Sequence, residues 1–87
     1  MIRLPATVMH AQAQACLRDV QAQMDRGQGP VQLDAQALQA FDSSVLAVLL
    51  ACRRQALSAG RAFEVHHMPE RLQSLAHVYG VQGLLGH

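Results

Sequence analysis

A carboxylate and two hydroxyls, those of Asp42, Ser43 and Ser44, stand immediately before an uninterrupted run of apolar residues at 45–52. Short side-chain oxygens at the start of a helix accept hydrogen bonds from backbone N–H groups that the first turn leaves unpaired. A phosphate attached to one of these hydroxyls would also meet the positive end of the helix dipole. The pattern therefore predicts a helix cap, and it makes the three residues candidates for phosphorylation or for contact with a partner.

The apolar run would surround its helix with apolar side chains on every side. A helix that is covered by one sheet needs only an apolar stripe. Two alternatives follow: neighbouring helices cover the remainder, or part of it is left for a partner protein. Under the second alternative, the partner interface consists of Val45, Leu46 and Leu49, with Arg53 at its rim.

Catalysis by the same hydroxyls has little support in the sequence. Ser43 or Ser44 acting as a nucleophile would need a histidine base and an oxyanion hole, and no nucleophile-elbow motif surrounds them. The segment Gly27-Gln28-Gly29 is too short for a phosphate-binding loop and precedes a predicted strand rather than a helix. We therefore predict no catalytic residue and no cofactor site.

The histidines raise the question of a metal site, because His66 and His67 are adjacent. A metal site needs three or four converging ligands, and adjacent residues of a strand point to opposite faces. The other histidines are His10, His77 and His87, and no second group of Asp, Glu or His recurs at ligand spacing. We predict no metal site.

Hydrophobic periodicity predicts the elements that position these residues. The order is strand, helix, strand, helix, strand, helix, at about residues 2–4, 9–26, 31–34, 43–58, 62–65 and 69–79. Gly60 and Gly80 are the expected stops of the second and third helices. Two of the helices are predicted to be amphipathic, with apolar stripes of Ala13, Leu17, Val20 and Met24 in the first and of Leu72, Leu75, Ala76 and Tyr79 in the third. Because the connection between the strands at 31–34 and 62–65 is long, these strands are expected to be parallel, with a right-handed crossover.

Length and composition exclude several classes of function. The 87 residues suffice for one domain, 1–87. A net charge of +1 and 3% aromatic residues provide neither the basic stripe nor the stacking surface of a nucleic-acid-binding protein.

Cys16 and Cys52 are isolated, which is typical of a reducing compartment. No apolar run approaches the roughly 20 residues of a membrane span, and the N-terminus lacks an apolar signal core. The sequence therefore predicts a cytoplasmic protein without direct membrane insertion.

The order of these motifs resembles the STAS domain family, the fold of bacterial anti-sigma-factor antagonists. The resemblance is carried, in chain order, by Val31-Gln32-Leu33-Asp34, Phe41-Asp42-Ser43-Ser44, the apolar helix, Gly60 and Phe63-Glu64-Val65. The ending from Leu72 to Val81, with its Leu-Ala-x-x-Tyr-Gly pattern, is most similar to the STAS subunit of the Mla phospholipid-transport ABC system. The likeness covers roughly residues 30–85.

The STAS resemblance implies an α/β fold with a small mixed β-sheet of about three to four strands flanked by α-helices. It implies no catalysis, and binding through the loop and helix that begin at Asp42. In the sigma-regulating branch, the residue that matches Ser43 is phosphorylated by a partner kinase; in the Mla branch, a hydroxyl there contacts the cytoplasmic ATPase of the transporter. The N-terminus departs from the family in having room for only one short strand. Val45 replaces a glycine that is usual in the sigma-regulating branch, and its bulk is expected to alter the approach of a kinase.

Three hypotheses follow. The first is a non-catalytic regulatory and assembly subunit that binds the ATPase of a Mla-type phospholipid transporter, which maintains outer-membrane lipid asymmetry. Such a protein is cytoplasmic and peripheral at the inner membrane through its partner. The second is an anti-sigma-factor antagonist whose binding to an anti-sigma factor is controlled by kinase phosphorylation of Ser43. The third is a small hydrolase or metal-binding protein that uses Ser43 and the histidines.

Overall fold

The computed structural model describes residues 1–85 of the chain. Within these residues, two strands precede each of the first two helices, one strand precedes the third helix, and a short 3-10 helix follows. The strands are β1 (Ile2–Arg3), β2 (Thr7–Val8), β3 (Val31–Asp34), β4 (Ala40–Phe41) and β5 (Phe63–His66). The helices are α1 (His10–Arg26), α2 (Ser44–Ser58) and α3 (Glu70–Val78), followed by the 3-10 helix (Gln82–Leu85).

The described strands form two sheets, and their pairings are all parallel. β1, β3 and β5 make a three-stranded sheet with β3 in the middle, and β2 and β4 make a two-stranded sheet. β3 and β5 pair from Val31 with Phe63 to Asp34 with His66, as expected for strands that a long helical crossover joins. The α/β class and the parallel β3–β5 pair are confirmed. The expected small sheet of three to four strands is observed as five short strands that divide between two sheets.

β2 and β4 have no periodic signal in the sequence, because each contains only two residues. The N-terminus therefore holds two short strands where one was expected. Thr7 of β2 pairs with Ala40 of β4, and the backbone N–H groups of Gln39 and Ala40 donate to the carbonyl of Ala6 at 2.8 and 2.9 Å. This ladder holds the residues before α2 against the residues before α1.

α1 packs along α2 with one face in the core. Cys16, Val20 and Met24 are buried, and Ala13 and Leu17 are partly buried beside them. The predicted apolar stripe of this helix is confirmed, with Cys16 as an additional buried position. α1 therefore covers one side of α2.

α2 is the central helix of the core. α1, β5 and the 3-10 helix all contact it, and Leu85 of the 3-10 helix is completely buried. The buried residues of α2 are Val45, Leu46, Val48, Leu49, Cys52 and Ala56. A helix that is apolar on every side requires cover on every side, and neighbouring elements of the same chain supply most of it.

Three residues of the predicted partner interface, Val45, Leu46 and Leu49, are buried within the chain. These side chains are 0%, 3% and 0% exposed, because they lie on the faces of α2 that the rest of the chain covers. A partner could touch them only if the core opened. Arg53, the predicted rim, is half-buried at the surface.

The helix stops agree with the sequence. Gly60 and Gly80 adopt φ angles of +72° and +70°, a left-handed conformation that glycine reaches without strain at the end of a helix.

Every helix within residues 1–85 is too short or too polar to span a bilayer.

Candidate functional site

Asp42 connects the first turns of two helices. Its Oδ1 accepts a hydrogen bond from the backbone N–H of Ser44 at 2.8 Å, at the start of α2. Its Oδ2 accepts one from the backbone N–H of His10 at 3.0 Å, at the start of α1. The cap predicted at this junction is present, and the carboxylate of Asp42 supplies it to both helices.

The surroundings of Asp42 favour its charged form. Hydrogen bonds from the backbone N–H groups of Ser44 and then of His10 hold the pKa of this carboxyl below its usual value. Both donors lie at helix N-termini, where the helix dipole also favours negative charge. The junction therefore presents a fixed negative charge.

Ser43 follows Asp42 with its hydroxyl free of any cap hydrogen bond. Its backbone is already helical, at φ −63° and ψ −15°, and its carbonyl accepts the N–H of Leu46 at 3.0 Å. The residue is exposed. Ser43 thus offers an accessible hydroxyl, both donor and acceptor, at the surface.

Ser44 is half-buried and lies beside α1. Its Oγ is 3.5 Å from Nδ1 of His10, and both residues border a groove of about 240 Å³ between α1 and α2. Ala13, Leu17 and Val48 contribute apolar lining to this groove. The two serines therefore have different surroundings, one in solvent and one against α1.

These residues do not form a hydrolytic triad. In a triad the acid orients the imidazole of the base, whereas the carboxylate of Asp42 accepts hydrogen bonds from backbone N–H groups. The 3.5 Å between Ser44 Oγ and His10 Nδ1 is at the outer limit of a hydrogen bond. The arrangement caps two helices and leaves the imidazole without an orienting acid.

A second groove, of about 340 Å³, lies between Asp42 and α3. Its lining residues are Phe41, Asp42, Arg71, Ser74, Leu75 and Val78. The guanidinium carbon of Arg71 is 4.8 Å from the centre of the Phe41 ring, which is within cation–π range. A cation and an apolar surface therefore stand beside the carboxylate of Asp42.

α3 exposes apolar side chains next to this groove. Val78 is 78% exposed, and Tyr79, the residue directly after the helix, is 57% exposed. The predicted stripe of α3 is confirmed at Leu72 and Ala76, which are buried, and Leu75 is partly buried. Tyr79 was expected to continue the stripe, but the helix ends one residue before it. The outward apolar surface therefore lies at the C-terminal end of α3.

Ser74 and Val78 separate the second groove from a third. The third groove has about 360 Å³ and is lined by Glu70, Gln73, Ser74, His77, Val78 and Gln82. Residues four apart on a helix lie on the same face, so Ser74 and Val78 form a ridge with a groove on each side. We call Ser43, Asp42, Arg71, Ser74 and Val78 the junction surface.

The structure brings together only part of the predicted site. Asp42, Ser43 and Ser44 meet at one junction. Arg53 is in the second half of α2, about 14 Å from Ser44 at 1.5 Å per residue. Arg53 therefore does not border the junction.

Three neighbours of Asp42, namely His10, Arg71 and Val78, were not recognisable as such from the sequence. The place of His10 depends on the β2–β4 pairing, which two-residue strands do not reveal. The one available signal was Val78, an apolar residue outside the predicted stripe of α3.

His66 and His67 each lie beside a different carboxylate. Nε2 of His66 is 3.1 Å from Oε2 of Glu64 but makes no hydrogen bond, and Nδ1 of His67 is 3.0 Å from Oδ1 of Asp34. Within residues 1–85, no group of three or more His, Cys, Asp or Glu could hold a metal ion. His87 lies outside the described residues.

Both cysteines are free thiols inside the core. Burial, and next the charge of Asp19, raises the pKa of Cys16. Burial, and next the neighbouring Cys16, raises the pKa of Cys52 to about 12. Since the thiolate is the reactive form, these residues act as small apolar side chains.

A family model described as the MlaB STAS domain matches residues 1–86 of the chain. No curated protein sequence matches this chain. The family match includes the N-terminal strands, which the resemblance over roughly residues 30–85 did not cover. STAS domains generally mediate protein–protein interactions and are generally non-catalytic. Because the match spans nearly the whole chain, this protein belongs to the MlaB-type STAS domain family.

Proposed function

We propose that this protein is a non-catalytic regulatory and assembly subunit that binds the cytoplasmic ATPase of a Mla-type phospholipid-transport ABC transporter. Membership of the MlaB-type family supports the choice of partner. The observation that carries the proposal is the junction surface, where Asp42, the residue directly before the exposed Ser43, lines a groove together with the exposed Val78 of α3. Through this partner the protein is peripheral at the cytoplasmic side of the inner membrane, and it serves outer-membrane lipid asymmetry.

The chemistry of the junction surface suits a protein partner. Val78 offers apolar area, and burying such a side chain contributes about 1.5–3 kcal/mol. Asp42 and Arg71 place one negative and one positive charge beside the apolar ridge, which favours a partner with complementary charges. Grooves on both sides of the Ser74 and Val78 ridge are of the kind that receive side chains from a second helix.

Measuring the affinity of the purified ATPase for variants of this protein tests the proposal. Val78→Asp should weaken binding by at least roughly tenfold, because it removes apolar contact and places an unpaired charge in the interface. Leu57→Asp is the matched control: Leu57 is also an exposed apolar residue, at 48%, but it lies at the far end of α2, about 20 Å from Ser44 at 1.5 Å per residue.

Equal loss of affinity in Val78→Asp and Leu57→Asp, or no loss in either, would remove the junction surface from consideration. Ser43→Ala should give a smaller loss than Val78→Asp, since one neutral hydrogen bond is worth about 0.5–1.5 kcal/mol. Circular dichroism of each variant establishes that the fold is retained.

A second candidate function is an anti-sigma-factor antagonist that a kinase controls by phosphorylating Ser43. The observation in its favour is the exposed hydroxyl of Ser43, which no cap bond occupies. The side chain of Val45 is completely buried, so its bulk does not extend to the surface beside Ser43. A phosphate would add a charge of about −1.5 to −2 beside Asp42 and oppose the docking of an acidic surface.

Intact-mass measurement of the protein isolated from its native cells distinguishes the two functions. A species heavier by one phosphate that disappears in Ser43→Ala supports the antagonist. Unmodified protein that co-purifies with the ATPase supports the transporter subunit and counts against the antagonist.

A further inference from the structure

We propose that Arg71 determines the specificity of the junction surface by receiving a carboxylate from an acidic side chain of the partner ATPase. The guanidinium of Arg71 lies over the ring of Phe41, and the residue borders the groove that Asp42 and Val78 also line. The inference rests on the proposed function, because it names the chemistry that the partner brings to the same surface.

The contact with Phe41 holds the guanidinium of Arg71 in place. The guanidinium carbon is 4.8 Å from the centre of the ring, and Phe41 is itself buried at the end of β4. Contact over a ring leaves the N–H groups of a guanidinium, which lie in one plane at its edge, available to other partners. Arg71 is therefore positioned on the surface without using its hydrogen-bond donors.

The donors of Arg71 are not engaged by its neighbours. Within residues 1–85 its guanidinium makes neither a hydrogen bond nor an ion pair, in contrast to that of Arg61, which donates to two backbone carbonyls. Asp42 lines the same groove, but each of its carboxylate oxygens already accepts a backbone N–H group. Among the described residues, then, none competes for the donors of Arg71.

A carboxylate matches these donors. Its two oxygens accept the paired N–H groups of a guanidinium side by side, and the exposed Ser74, three residues further along α3, adds a hydroxyl to the same groove. A phosphate fits less well, because its second negative charge would be repelled by the fixed charge of Asp42 in this groove. The groove therefore favours a group with a single negative charge.

The partner also has to bring an apolar group to Val78. Arg71 and Val78 are two helical turns apart on α3, which separates them by about 10 Å along one face. A partner helix with an acidic and an apolar residue at the same separation would reach both at once. Because Arg71 is already held against Phe41, it loses little conformational freedom on binding.

The affinity of the purified ATPase for Arg71→Met, measured at low and at high ionic strength, tests the proposal. Methionine keeps a flexible apolar side chain against Phe41 but has no charge and no donor. Binding at low ionic strength should weaken by at least roughly tenfold, the worth of a charge-assisted hydrogen bond, and it should depend less on salt. Arg71→Lys keeps the charge but not the paired donors, so its affinity should fall between those of Arg71→Met and the native protein.

Arg54→Met is the matched control. Arg54 is an exposed arginine in the second half of α2, about 15 Å from Ser44 at 1.5 Å per residue, and its replacement should leave binding unchanged. Equal losses in Arg54→Met and Arg71→Met, native affinity in Arg71→Met, or a loss that is the same at both ionic strengths would overturn the proposal. Thermal unfolding of each variant establishes that the fold is retained.

Replacing the acidic residues of the ATPase by their amides, one at a time, identifies the carboxylate. One such substitution should weaken binding of the native protein by about the same factor as Arg71→Met does, and it should have no further effect on the binding of Arg71→Met. If none of them does so, Arg71 does not receive a carboxylate.

The same measurements separate this inference from the proposed function. If the native protein does not bind the ATPase, the proposed function fails and the role of Arg71 fails with it. If the native protein binds, Val78→Asp does not and Arg71→Met binds normally, the proposed function stands and only the role of Arg71 is wrong.

Discussion

The helices α2 and α3 differ in the way their apolar residues meet solvent. α2 is apolar on every side and is enclosed, so that Val45, Leu49 and Cys52 are all completely buried. α3 is amphipathic, yet its Val78 is 78% exposed. The amount of apolar sequence in a helix therefore indicates how central the helix is, whereas an apolar residue outside the stripe remains exposed to solvent.

The enclosure of α2 has a specific structural cause. α1 packs along it, β5 lies against it, and the 3-10 helix contacts it while burying Leu85. Three neighbours are needed because a helix without a polar face has no side that favours water. α3 contributes less to this cover, which leaves its C-terminal end outward.

Enclosure of α2 should strongly suppress the reactivity of the Cys52 thiol. Its pKa is raised from 9.0 to about 12, so at pH 8 the thiolate fraction falls about a thousandfold relative to the unfolded chain. Labelling by a disulfide reagent should therefore be slower by about this factor in native protein than in urea. Native labelling of Cys52 at the rate found in urea would show that α2 is not enclosed.

A cavity in α2 should cost much more stability than an equal truncation at the surface. Leu49→Ala should lower the free energy of unfolding by about 2–5 kcal/mol, because Leu49 is 0% exposed. Urea denaturation measures the change. A loss below about 1 kcal/mol would mean that this part of α2 is loosely packed.

Acid should destabilise the junction in a defined direction. The folded-state pKa values of Asp34 and Asp42 are lowered by hydrogen bonds. The stability that these bonds contribute is therefore complete above the unfolded-state pKa of about 3.9 and is lost as pH falls through the lower folded-state values. Urea midpoints of the native protein should fall in that range, and Asp42→Asn should show a smaller fall. An identical acid profile for this variant would contradict the assignment.

Truncation of the exposed apolar residue of α3 should have little effect on stability. Val78→Ala should change the free energy of unfolding by no more than about 0.5 kcal/mol, because its side chain is largely in solvent. Leu72→Ala in the same helix is the contrast, since Leu72 is 0% exposed. If Val78→Ala destabilises the protein as much as Leu72→Ala, the exposed surface of α3 belongs to the core.

Much of the fold follows from local signals in the sequence. Gly60 and Gly80 mark helix ends because a left-handed residue is needed there, and alternation marks β3 and β5. The long crossover predicts their parallel pairing. The three residues of the junction were also identifiable, because a carboxylate and hydroxyls before an apolar run are the chemistry of a cap.

The remaining features depend on contacts between distant segments. The bond from His10 to Asp42 spans 32 residues and requires the β2–β4 ladder, whose strands are too short to show a period. The burial of Leu46 depends on the elements that pack against α2 in the folded chain. Periodicity identifies an apolar face, but only tertiary structure shows what covers it.

Hydrogen exchange of the protein, measured free and bound to the transporter ATPase, tests whether a partner docks on the junction surface while α2 stays enclosed. We expect added protection at Phe41–Ser44 and in α3 on binding, with no change in the polar face of α1. Protection confined to α1 would contradict a junction surface that docks the partner. Faster exchange at Val45–Leu49, which indicates that α2 opens, would contradict an enclosed α2.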